Sequence, residues 1–216
     1  MALSENGSLI DLQEDKNGQN HARLLTVFAE EILKRNQLKT TDIDAVAVSK
    51  GPGSYTGLRI GVSAAKGFCY ANQIPLIAIS TLEAMTDHVI KFVPEKYTLF
   101  CPMIDARRME VYTCLFNEKG QIIQPVTAQI IDPLYLAEEL KQSNIVFFGN
   151  GAAKCKSTID HPNAVFLEDV YASAAYMCEL AEAAYNNQWF EDVAYFEPFY
   201  LKDFIAIASK NNVLGK

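Results

Sequence analysis

Between Val46 and Tyr70 the chain runs Val-Ala-Val-Ser-Lys-Gly-Pro-Gly-Ser-Tyr-Thr-Gly-Leu-Arg-Ile-Gly-Val-Ser-Ala-Ala-Lys-Gly-Phe-Cys-Tyr: a short apolar strand, a Gly-Pro-Gly turn, then a long helical pattern. From about Tyr55 to Ala71, past the first turn, the clearly polar or charged positions are Arg59, Ser63 and Lys66, which share one narrow stripe. A surface helix buries one face and solvates the rest; this one reads as covered on two sides. Gly57, Gly61 and Ala65 recur at every fourth position, with Ala64, Gly67 and Ala71 beside them, and such small side chains let another backbone come close. A glycine inside a helix costs about 0.5–1 kcal/mol relative to alanine, so the close approach should return something. Two coverings satisfy the pattern, one wholly within the chain's own domain and one by a partner helix. The second is the expectation taken here.

The Gly51-Pro-Gly53 turn invites a phosphate-loop reading, because backbone N–H groups at a helix start attract anions. Its spacing argues for a structural turn instead. In a GxxxxGK loop Thr56 or Leu58 would fall where the second glycine belongs, no Gly-Lys pair follows, and Thr56 also spoils GxGxxG. A GxSxG elbow at Ser54 would need glycine where Pro52 and Thr56 stand, so Ser54 and Thr56 read as helix caps. The three histidines, His21, His88 and His161, sit in or beside charged segments, spaced as neither HxxxH nor HExxH. No catalytic residue and no metal ligand is therefore assigned.

Half of the 216 residues are apolar, enough for one large domain or two small ones. No apolar run reaches the ~18–20 residues of a membrane span, and the start lacks the layout of a signal peptide, so the expectation is a cytoplasmic protein with no membrane contact. Five scattered cysteines without a CxxC pair read as small core residues of a reducing compartment. A formal net charge of −7 opposes tight nucleic-acid binding by this chain alone.

Along the chain, Leu3 to Glu14 reads as a hairpin about Glu5-Asn-Gly7, and a helix capped by Asn20 follows, with Leu24, Leu25, Phe28, Ile32 and Leu33 on one face. The strand at Pro75–Ile79 leads to a helix capped by Ser80 or Thr81 and running to about Phe92. Pro94-Glu-Lys96 reads as a hinge, dividing an α/β lobe over residues 1–95 from a second over 96–216. The second lobe reads as strands at Tyr97–Ile104, Glu110–Phe116 and about Gln121–Ile131, a helix from Asp132 or Pro133 to about Gln142, a strand at Ile145–Phe148, and a helix from about Ser173 to Asn187. Hairpins followed by helices in both halves point to a duplicated α/β architecture. Asp105, Arg107, Arg108 and Glu110 cluster at one hairpin tip. That is either a solvated turn or a place where two guanidiniums hold a carboxylate or phosphate. The Gly149-Asn-Gly-Ala152 turn is either a plain glycine turn or a place where adenosine approaches the backbone.

The motif KGPGSYTGLRIGVSAAKG resembles the signature of the bacterial TsaB (YeaZ) family of tRNA threonylcarbamoyladenosine biosynthesis proteins. STLEAM (80–85), IDARRMEVY (104–112), GNGA (149–152) and PFYLKD (198–203) resemble family segments in the same order, so the likeness covers nearly the whole chain. The resemblance implies an actin, hexokinase and Hsp70-like (ASKHA) fold of two related lobes. It also implies a non-catalytic scaffold that pairs with TsaD, the catalytic homologue, and with TsaE, an ATPase. That complex modifies adenosine 37 of tRNA, which the scaffold reaches only through its partners, and the isolated scaffold is expected to form homodimers. Family pairing uses two helices that map to about Asn20–Asn36 and Tyr55–Ala71. The interface candidates are thus Leu25, Phe28, Ile32, Gly57, Gly61, Ala64, Ala65 and Phe68, and the candidates for a nucleotide or anion contact are Arg107, Arg108, Gly149 and Gly151. No cofactor is required of this chain, although ATP or ADP at the partner interface fits the family. A peptidase or an ATPase on the same fold is the alternative.

Two departures stand out. Relatives begin with a strand resembling ILAIDTS, which by that comparison this chain lacks; a misassigned start is the expectation, since neighbouring strands would otherwise expose unpaired backbone. Met109 stands where relatives often carry glycine, which makes the inter-lobe turn a poorer cradle for phosphate.

Overall fold

The Asn6-Gly7 pair turns the chain back on itself. Strands β1 (Ala2–Glu5) and β2 (Ser8–Leu12) pair antiparallel about it, with Asn6 at φ 51° and Gly7 at φ 77°, the left-handed pair that a two-residue hairpin turn needs. The computed structural model describes residues 1–15, 21–94 and 96–201, apart from the side chains of residues 21–23. The Asn20 cap, the middle of the expected hinge at residue 95 and the end of the PFYLKD segment lie outside these.

Helix α1 (His21–Arg35) is tied to the hairpin at its C-terminal end, where Arg35 Nε and Nη2 donate to the two Asp11 carboxylate oxygens at 3.0 and 2.9 Å and Asn36 Nδ2 adds a third bond at 2.8 Å. Strand β3 (Val46–Gly51), helix α2 (Tyr55–Asn72) and strand β4 (Leu76–Ser80) form a parallel β-α-β crossover. The β1–β2 and β3–β4 pairs are separate two-stranded sheets, and no pairing joins β1 to β3 among the described residues. Ser80 caps helix α3 (Thr81–Ile90) by accepting the Glu83 N–H, as its place before an apolar run predicts.

The second half builds one five-stranded mixed sheet in the order β7-β6-β5-β8-β9. Its members are β5 (Leu99–Asp105), β6 (Glu110–Asn117), β7 (Ile122–Ile130), β8 (Ile145–Phe148) and β9 (Ala164–Phe166). The Ile-Val-Phe-Phe run of β8 is fully buried, as a continuous apolar strand with both faces covered must be.

Two helical expectations change at their N-termini. Asp132 accepts the Leu134 N–H at 2.9 Å, and Leu136 turns to φ 54° to reach the core, so helix α4 covers only Ala137–Gln142 and does not start at Asp132. The expected helix from Ser173 begins as a 3-10 turn over Ala174–Met177 and becomes helix α5 at Cys178–Asn186. Strand β9 is too short to stand out from its loop in the sequence.

The sheets before and after residue 95 are separate, but helices cross between the two halves in both directions. Leu82, Met85 and Val89 of α3 pack into the second sheet with Phe100, Phe116, Val146 and Phe148. In return Ala184 and Leu180 of α5 pack on Ile77 and Ile79 of β4, and Val193 and Phe196 join Ala65, Cys69 and Leu76. The five cysteines are all buried and free. No helix among the described residues is long and apolar enough to cross a membrane.

Candidate functional site

The start of α2 is closed by the chain's own C-terminal segment. Ser54 caps the helix by accepting the Gly57 N–H at 3.4 Å. Phe199 N–H donates to Lys50 O at 2.7 Å, and a Cβ on Gly51, which sits at φ 105°, would come within 3.0 Å of Phe199 O. Tyr200 packs its ring 4.9 Å from that of Tyr55, whose hydroxyl accepts from Arg59 at 3.3 Å. The glycine at 51 thus answers to a crossing strand of protein, which fits the structural-turn reading of Gly-Pro-Gly.

The two long faces of α2 have different partners. Val62, Ala65 and Cys69 point to the sheet and are buried, and Gly61 faces Val48, whose methyl would lie 3.9 Å from an added Cβ. On the opposite side Thr56, Arg59, Ser63, Ala64, Gly67, Tyr70 and Ala71 are exposed; nothing lies within 4 Å of a Cβ built on Gly67, and Tyr70 is 83% exposed. Lys66 donates to Ala194 O and Phe196 O at 2.9 and 3.0 Å, which ties the C-terminal segment along the helix. Lys66, Gly67 and Tyr70 with Asp192, Val193 and Ala194 line a shallow groove of about 520 Å³.

The interface candidates therefore divide. Ala65 and Ile32, at 8% and 3% exposure, pack mainly into the chain's own core. Leu25, Phe28, Gly57, Gly61 and Phe68 are half-buried, and Ala64 is open. Open residues outside the expected set include Val27, Gly67 and Tyr70. The signal that could have found Gly67 and Tyr70 is the Arg59–Ser63 stripe, since continuing it at helical spacing reaches both.

At the β5–β6 tip and the turn after β8 the four anion candidates are close in the fold but differ in role. Gly149, at φ 104°, has no room for a side chain, because a Cβ would sit 2.3 Å from Met103 O. Gly151 is similar, with Asp105 N and Ile104 C each 3.0 Å from an added Cβ. Both glycines are thus required by the approach of the β8 turn to β5. Asn150 between them accepts the Asp105 N–H at 2.9 Å. Lys154 bonds the Asp105 carboxylate and donates to Glu110 O at 2.7 Å, while the Arg107 N–H donates to Asp105 at 2.9 Å. Partial burial works to raise the Asp105 pKa, but Lys154 and the Arg107 N–H outweigh it and hold the acid below its ordinary value. Arg107 and Arg108 occupy consecutive left-handed positions, φ 74° and 51°, which costs a non-glycine residue about 1–2 kcal/mol each. Both side chains are exposed. Of the histidines with described side chains, His88 stacks on Tyr176 at 3.7 Å, and His161 accepts the Asn163 N–H.

Two α/β lobes, a β-α-β unit with a small-residue helix in the first and a mixed sheet opened by hairpins in the second, define an actin-like, ASKHA-type protein. Solved structures agree on the fold: a Pseudomonas aeruginosa protein described as uncharacterised with similarity to peptidase YEAZ superposes with a TM-score of 0.74 over 90% of this chain and 93% of that one, at 20% identity. Residues 13–210 match the family model described as TsaD: tRNA N6-adenosine threonylcarbamoyltransferase. Among curated relatives, the tRNA threonylcarbamoyladenosine biosynthesis protein TsaB of Haemophilus influenzae is 28% identical over 86% of this chain and 81% of its own length. The Bacillus subtilis protein of the same name is 32% identical over 66% of this chain and 62% of its own length. The chain belongs to this family, in its TsaB (YeaZ) branch.

Proposed function

We propose that this chain is a non-catalytic scaffold subunit of tRNA threonylcarbamoyladenosine biosynthesis, acting by docking the open faces of α1 and α2 against a related lobe of a TsaD-like catalytic subunit. The observation that carries the reading is the exposed Ala64–Gly67–Tyr70 row on α2, with Val27 of α1 also exposed. A mid-helix glycine with open space above it has no reason inside the monomer, whereas a second helix would use the gap. The curated relatives' names supply the pathway.

In this reading a TsaE-like ATPase joins the pair, any ATP or ADP sits at the partner interface, and tRNA is held by the assembly, in keeping with a charge of −7. In isolation the same face closes a homodimer, and the work is cytoplasmic. Depleting the chain in its own organism and measuring tRNA nucleosides by mass spectrometry tests the proposal. Threonylcarbamoyladenosine should fall, and an unchanged level would rule the function out. Co-purification of the wild-type chain with the catalytic subunit, lost in Ala64→Arg/Gly67→Arg, tests the face itself.

A further inference from the structure

We infer that the Arg107–Arg108 tip is a contact for the phosphodiester backbone of RNA, a step that rests on the proposed place of the chain in a tRNA-modifying assembly. Turn chemistry favours glycine or asparagine at left-handed positions, yet two arginines stand there in succession. The platform beneath them is fixed from several sides. Ala106 N–H donates to Glu110 O at 3.1 Å, Glu110 N–H to Arg107 O at 3.2 Å, Asp105 N–H to Asn150, and Lys154 spans Asp105 and Glu110 O.

The acid beside the tip is already engaged by Lys154 and by the Arg107 backbone, and no ion pair joins either guanidinium to a carboxylate among the described residues. Arg107 lies near enough to Asp105 to help lower its pKa, but neither guanidinium is closed into an ion pair and both stay exposed, so two planar cations on a rigid stem can still meet phosphate oxygens bidentately. The tip projects into solvent and lines neither of the grooves at Lys66–Ala194 and Asn6–Glu179. A small nucleotide needs a concave site. A polyanion that passes over the protein does not, and phosphate contacts of this kind position an RNA without reading its sequence. Two contacts on a chain of net charge −7 hold RNA weakly alone, so the contact works inside the assembly.

The test uses the full chain assembled with its TsaD-like partner and fluorescently labelled tRNA, with affinity read by anisotropy between ~50 and ~200 mM salt. Removing two phosphate contacts should lower the slope of log K against log salt by about 1.4–1.8, the range between single-stranded and duplex contacts. Arg107→Gln/Arg108→Gln should show this, with affinity down on the order of ten-fold at low salt and the melting temperature unchanged. Arg107→Lys/Arg108→Lys should keep the wild-type slope. A glutamine variant with the wild-type slope and affinity overturns the inference, as does one that loses assembly with the partner while its RNA slope stays the same, which would assign the arginines to an acidic protein surface. If the wild-type assembly itself fails to bind tRNA in a salt-dependent way, the functional reading falls as well, and the inference with it.

Discussion

Gly67→Ala decides between the two coverings of α2. An added Cβ at Gly67 meets no atom within 4 Å, so the substitution adds no clash and removes a helix-interior glycine, which is worth about 0.5–1 kcal/mol. For a chain of this size ~1 kcal/mol shifts the melting temperature by about 2–4 °C. The expected gain is therefore about 1–4 °C, measured by calorimetry at a concentration where the protein is monomeric. Gly67→Arg retains the propensity gain but puts a long cation on the open face. Its association with the partner should weaken at least ten-fold, about 1.4 kcal/mol, by isothermal titration. A lower melting temperature for monomeric Gly67→Ala would mean that the chain packs against this position itself. Unchanged partner affinity of Gly67→Arg would mean that the face does not dock. Either result refutes the reasoning from open space above a mid-helix glycine.

Ala65→Glu should fail at the level of folding, because a carboxylate forced among Cys69, Leu76 and Val48 is buried without a partner; the expected loss is about 3–5 kcal/mol by urea denaturation, and a stable variant would show Ala65 to be misplaced. Gly149→Ala should cost about 2–5 kcal/mol, combining left-handed strain with the clash against Met103 O, whereas Gly53→Ala, whose Cβ would lie 3.8 Å from the Leu58 side chain, escapes that clash. Asp105 has a folded-state pKa below its unfolded one, so its contribution is present above the unfolded value and is lost as pH falls through the folded one. Lys154→Met should therefore lower stability at neutral pH by at most about 1 kcal/mol, since the pair is partly exposed, and flatten the acid limb of a pH–stability curve; an unaltered acid limb would exclude the pair as its source.

Where a residue acts on its own neighbours, the sequence was legible. Asn6-Gly7 predicts the hairpin, and Ser54 and Ser80 predict helix starts, because each needs only the next few backbone groups. Asp132 misled for the same local reason: it is as good an Asx-turn residue as a cap, and burial of Leu136 settled the choice. The row Gly57–Gly61–Ala65 suggests a single face, but four residues of an α-helix turn through about 400°, so each step drifts about 40° and the row walks round from the helix edge into the core. For Gly149 and Gly151 the sequence leaves a plain turn and a ligand contact both open, because it shows a glycine and not what crowds it; the crowding comes from β5, far away in the chain.

The crossing helices were the least legible feature, and they govern how the two lobes relate. Hydrophobic periodicity marks α3 and α5 as amphipathic without saying which sheet each apolar face meets. In the fold each half sends a helix to the other. Separating the lobes would expose Leu82, Met85 and Val89 at roughly 1.5–3 kcal/mol per side chain, some 5–9 kcal/mol before the α5 contacts are added. That is comparable with the whole stability of an ordinary domain, about 5–15 kcal/mol. The lobes are therefore not independent bodies, and Lys66 ties α2 to the 194–196 segment that follows α5 in the chain. If a partner docks on α1 and α2 as proposed, it meets a surface braced by both halves of the chain.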